Sequence, residues 1–144
     1  MKFYFFSESF LVWLQKNSIA VLRVSLGIVF LWFGALKIFG VTPVAELVQS
    51  SYPFFPYPAF IVFLGIWETV IGLGLMSKTV LHITIPLMWL QMLGTFGSLL
   101  LLPSLFFNHG NVFLLTTEGE FVMKNLVLVA ASLVIAGYQI KKEA

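Results

Sequence analysis

Apolar residues run along this chain in four long blocks, separated by short stretches rich in polar residues, proline or aromatics. The blocks cover residues 19–38, 59–76, 79–102 and 122–140. A helix crossing the hydrocarbon core of a bilayer needs roughly 20 mostly apolar residues. Each block is therefore read as a membrane-spanning helix, and the fold class as an all-α, integral membrane four-helix bundle forming a single domain over 1–144. Pro56 and Pro58 mark the start of the second block, and Ser77-Lys78 its end. Pro86 lies within the first turns of the third, where it kinks a membrane helix without ending it. Ahead of the first block, Phe3, Phe5, Phe6, Trp13 and Leu14 alternate with Glu8 and Lys16, the pattern of an interfacial helix running into the span. The apolar run is too long for a cleaved signal peptide, and no small-residue cleavage site follows it.

The segments between blocks carry their own signals. In "TPVAELVQSSYPFFPYP", Thr42 is expected to cap a short helix with Pro43 at its first position and Glu46 in its first turn. That helix breaks at Tyr52-Pro53, and the aromatic and proline residues that follow suit a lid on the outer membrane face. In "PSLFFNHGNVFLLTTEGEF", Pro103 ends the third span, and Phe106, Phe107 and Phe113 are expected to dip toward lipid. Thr116 or Thr117 caps the fourth helix, with Glu118 and Glu120 near its positive end.

Composition agrees with this reading. The chain is 60% hydrophobic and only 10% charged, with a mean hydropathy of +1.01. A soluble domain carries about 25% charged residues. The net charge of +2 comes from lysines at span ends and resembles no nucleic-acid patch. Lys2, Lys16, Lys78, Lys141 and Lys142 fall on one side of a four-span topology, so the positive-inside rule places both termini and the 77–78 turn in the cytoplasm. The loops 39–58 and 103–121 then face outward. With no cysteine, the chain alone holds no disulfide, thiol redox centre or Cys-ligated metal. His82 and His109 are separated by a whole span and form no metal constellation. Walker, dinucleotide and nucleophile-elbow motifs are absent from the sequence.

The candidate chemistry is a small set of polar residues inside the spans. Arg23, Gly27, Phe30, Gly34 and Lys37 share one stripe of the first helix, so its charged face is also its packing face. Glu68 lies about midway along the second span, between Gly65 and Gly72 on the same side. A charge at that depth costs roughly 2.5–3.5 kcal/mol on insertion scales unless paired. An Arg23–Glu68 pair is expected inside the bundle. The third span places Thr84, Gln91, Thr95 and Ser98 on roughly one face, with Gln91 near the depth of Glu68 and able to hydrogen-bond to it. Gly94 and Gly97 suggest tight packing there, and Met88 and Met92 read as filler. Lys37 and Lys124 sit near the outer interface, within reach of Glu46, Glu118 or Glu120. Snorkelling to lipid phosphates fits Lys37 better than Lys124, whose stripe through Ala131 faces inward. The candidate polar or ligand-binding cluster is thus Arg23, Glu68, Gln91, Lys37, Lys124 and Glu118.

"LRVSLGIVFLWFGALKIFG", "WETVIGLGLM", "LGTF" and "LTTEGEFVMKNLVLVAASLVIAG" together resemble, in order and spacing, the spans of the DoxX family of small four-helix membrane proteins. The resemblance runs from Leu22 to Gly137. It implies a place in a bacterial inner membrane, shared polar positions at Arg23, Lys37, Glu68, Glu118 and Lys124, and a link to respiratory membranes and oxidative-stress defence. The family takes its name from the membrane subunit of a thiosulfate:quinone oxidoreductase, but no reaction follows for this chain. Three functions are weighed. The first is an accessory or small-ligand component that binds quinone or lipid and takes electrons from a redox partner protein. The second is a structural anchor or assembly subunit for a partner. The third is a small transporter or proton channel, which would need a homo-oligomer to form a pore.

Overall fold

The computed structural model describes residues 6–140. Helix α1 (Glu8–Ile38) is followed by the short α2 (Ala45–Ser51), then α3 (Ala59–Met76), α4 (Leu81–Leu101), the single turn α5 (Pro103–Phe106) and α6 (Thr117–Ile135). A 3₁₀ turn over Lys78–Val80 leads into α4, and a π-helical turn over Ala136–Ile140 extends α6. Four of these segments are long and apolar enough to cross a membrane. The chain is therefore a multi-pass, all-α integral membrane protein, as the hydrophobic blocks indicate.

Element ends follow local chemistry. Ser7 caps α1 by accepting from the Phe10 amide, and α1 then continues unbroken for 31 residues, joining the interfacial segment to the span. Phe3, Phe5, Lys2, Lys141 and Lys142 lie outside the described residues. Helix α4 runs through Pro86 without ending, and Pro103 opens α5. Thr116 caps α6, its hydroxyl accepting from the Gly119 amide at 3.1 Å while donating to the Leu105 carbonyl at 2.7 Å. The fourth helix thus begins five residues ahead of its apolar block, because the cap and the acidic first turn lie on the polar side of that boundary.

Two expectations are corrected in the loops. Thr42 does not cap α2: the helix starts at Ala45 after a turn at Pro43-Val44, and its N-cap position, Val44, has no side-chain cap. Phe106 does not reach lipid. It is fully buried, and its carbonyl accepts from the Thr116 amide at 3.0 Å, tying α5 to the start of α6. Phe107 is half-buried, and Phe113 alone of the three is largely exposed.

The tightest packing is between α1 and α3, which run antiparallel. A Cβ on Gly72 would lie 2.6 Å from the Leu31 amide nitrogen and 2.8 Å from the Gly27 carbonyl oxygen; one on Gly65 would lie 2.8 Å from the Gly34 carbonyl oxygen. Two glycines per helix, seven residues apart, therefore let the backbones meet closely at both glycine levels. Helix α4 joins through Gly74, against which Thr84 packs, and through a core of Leu26, Phe30, Ile71, Leu75, Ile85, Met88 and Ile135. Helix α6 ties to α4 where the Trp89 indole N–H donates to Ser132 Oγ at 2.8 Å.

Candidate functional site

The direction of the side chains on α1 and α3 decides which charges meet. On any helix the Cα–Cβ bond tilts toward the N-terminus. In an antiparallel pair, Lys37 near the end of α1 therefore leans back into the bundle, and Glu68 on α3 leans outward to meet it. Their Nζ and Oε2 atoms are 2.6 Å apart, with the side chains only 7% and 9% exposed. The expected Arg23–Glu68 pair does not form. Gly27 lies against Gly72 and Met76, which sets Arg23 roughly 15 Å along the axis from the level of Glu68. The tilt carries its side chain further away. The guanidinium instead donates to the last carbonyls of α3, Leu75 at 2.5 Å and Met76 at 2.7 Å. A helix end leaves four carbonyls without intrahelical partners. Arg23 meets two of them where lipid would offer none. Its Nε is buried without a partner among the described residues.

Glu68 also accepts from the Gln91 amide on α4, so three spans converge on one carboxylate. This bond is the one anticipated from the depth of Gln91. The other two expectations for lysines reverse. Lys37 is buried and paired, not snorkelling, whereas Lys124 is exposed and makes only a loose 3.5 Å pair with Glu120 on its own helix. The inward face of α6 lies one position further round, through Phe121, Asn125 and Leu128. Glu118 is likewise exposed and lines a second cleft with Glu46. Of the six sequence candidates, Lys37, Glu68 and Gln91 come together; Arg23, Lys124 and Glu118 do not join them.

Above this triad is a cavity of about 510 Å³. Its walls are apolar side chains of α1, α3, α4 and α6, among them Phe30, Phe33, Leu64, Trp67, Met92 and Leu128. Its cover is α2 and the loop after it, through Leu47, Val48, Tyr52 and Phe55. Part of the aromatic run lines this cover: Phe55 stacks on Phe60 with ring centroids 4.2 Å apart, and Phe54, largely exposed, lies 4.8 Å from Phe55. Tyr52 fastens this cover to α4, its hydroxyl donating to the Gly94 carbonyl at 2.5 Å. Burial pushes the Tyr52 phenol above its ordinary pKa, so it remains a donor throughout the physiological range. Gly94 is not a tight helix contact as expected. A Cβ there would meet nothing within 4 Å, because this side of α4 faces the cavity.

A few polar side chains interrupt the apolar wall. Besides Lys37, Glu68 and Gln91, the wall includes Ser51, Thr95, Ser98 and Asn125. Gln91 Oε1 and Ser51 Oγ are buried with no protein partner among the described residues. Two lining residues, Ser51 in the loop helix and Asn125 beside Lys124, carry no signal that the sequence reading singles out. No group of three or more metal-ligating side chains occurs among the described residues. The arrangement is a pocket of apolar walls with a few convergent polar groups, within the roughly 300–1,000 Å³ range of small-molecule sites. No family model, curated protein or solved structure matches the chain.

Proposed function

We propose that this protein is a bacterial inner-membrane protein of the DoxX type that holds a small amphiphile, a quinone or a lipid, against the Lys37–Glu68–Gln91 triad in support of membrane redox metabolism. One observation carries the reading: a cavity with apolar walls ends on a buried, charge-neutral triad assembled from three spans. The apolar walls suit an isoprenoid or acyl body, and Lys37 offers hydrogen bonds to a polar head. Electrons would come from a partner protein, since the chain has no cysteine. The positive-inside pattern puts the cavity in the outer half of the membrane.

A purely structural role has support elsewhere in the molecule. Arg23 closes the end of α3, and its geometry calls for no ligand. A conduction path is disfavoured, because the layer between Glu68 and Arg23 is apolar, built from Leu26, Phe30, Ile71 and Leu75. The test is a titration of the detergent-purified protein with decylubiquinone, followed by tryptophan fluorescence. Trp67 lines the cavity, so saturable quenching that disappears in Trp67→Phe is expected. Quenching that is unsaturable, or unchanged in Trp67→Phe, would refute binding at this site.

A further inference from the structure

The hydrogen-bond groups around the cavity are unequally engaged, and this selects among head groups. Several donors are already committed. The Trp67 indole N–H bonds the Leu87 carbonyl at 3.3 Å, and the Tyr52 hydroxyl bonds Gly94. Thr95 donates to the Gln91 carbonyl at 3.2 Å, and Ser98 to the Thr95 carbonyl at 2.6 Å. Each of these hydroxyls keeps its lone pairs. Gln91 has its amide N–H on Glu68 and its Oε1 without a partner. Lys37 is the contrary case, with one of its three N–H groups on Glu68. The wall thus holds unmet acceptors beside three remaining sources of donors, Lys37, the unpartnered Ser51 hydroxyl and the Asn125 amide, and the paired charges leave the triad neutral.

A carbonyl head can accept from Lys37 but offers nothing to Gln91. A hydroxyl head can accept from Lys37 and donate to Gln91 at once. We infer that the cavity selects a neutral amphiphile whose head donates hydrogen bonds, a hydroquinone in preference to its quinone. This rests on the binding reading above and sharpens it. A buried acceptor left unmet weakens binding by about fivefold or more, so the reduced form should bind at least about fivefold more tightly.

The experiment titrates the wild-type protein under anaerobic conditions with two matched pairs: decylubiquinol against decylubiquinone, and dodecanol against dodecyl methyl ether. The second pair asks whether a lipid-type hydroxyl meets the same requirement. Tighter binding of the hydroxyl member in the quinol pair supports the inference, and tighter binding in the alcohol pair alone supports the donor requirement while reassigning the source to a lipid. In Gln91→Met, checked for folding by its melting curve, the preference should fall to within about twofold. Equal binding within both pairs, or tighter binding of the quinone or the ether, overturns the inference and leaves the site assignment standing. Binding of none of the four removes the site assignment as well.

Discussion

Glu68 is only 7% exposed, and its two oxygens are met by two different helices. Removing one partner of a buried ion pair typically costs about 3–5 kcal/mol, because the remaining charge loses its compensation. Lys37→Met should therefore destabilise the protein by that order in detergent unfolding, whereas the double change Lys37→Met, Glu68→Leu should return stability to near the wild-type level. A functional triad predicts that the double variant folds yet binds no amphiphile. Arg23 is a separate matter. Arg23→Met leaves two carbonyls at the end of α3 unmet and should cost about 1–3 kcal/mol. Since the two sites share no partner, its effect should add to that of Lys37→Met within about 0.5 kcal/mol. Coupling much larger than this between positions 23 and 68 would point to a contact that the geometry does not contain.

At the scale of elements, α1 and α3 meet through glycines, whereas α4 turns Gly94 toward the cavity. Gly72→Val should cost at least about 1–3 kcal/mol, the usual penalty of overpacking, since its Cβ would collide with backbone atoms of α1. Gly94→Ala should leave thermal stability unchanged or slightly raised, because alanine is the better helix former. The tie between Tyr52 and Gly94 should respond to pH in one direction. A pKa raised on folding means that the neutral phenol is favoured in the folded state. Its stabilisation is then complete below the ordinary tyrosine range and declines only as pH rises through the elevated value. A tyrosinate absorbance titration comparing wild type with Tyr52→Phe should show one late-titrating phenol missing in the variant.

For the whole molecule, the spans were readable because apolar blocks and prolines mark them directly, and the glycine faces because small residues seven apart share a helix side. Pairing across helices was less legible. Depth along the sequence put Arg23 and Glu68 within plausible reach, but the tilt of Cα–Cβ in antiparallel helices separates them and brings Lys37 inward. Lys124 is ambiguous for a related reason: its stripe and that of Asn125 differ by one position, and only packing against α1 and α4 chooses between them. Ser51 could not be placed without knowing that α2 folds back over the bundle. The membrane topology itself is directly testable, since the chain has no native cysteine. Single Ser77→Cys and His109→Cys variants in intact cells should differ, with only position 109 labelled by an impermeant maleimide.

The cavity above the triad is the feature on which the functional account depends, and native mass spectrometry tests it most directly. Protein extracted under mild conditions should carry an amphiphile of defined mass, and Gly94→Trp, which fills the cavity, should lose that mass while keeping its fold. Bare wild-type protein, or equal retention in wild type and Gly94→Trp, would contradict the account.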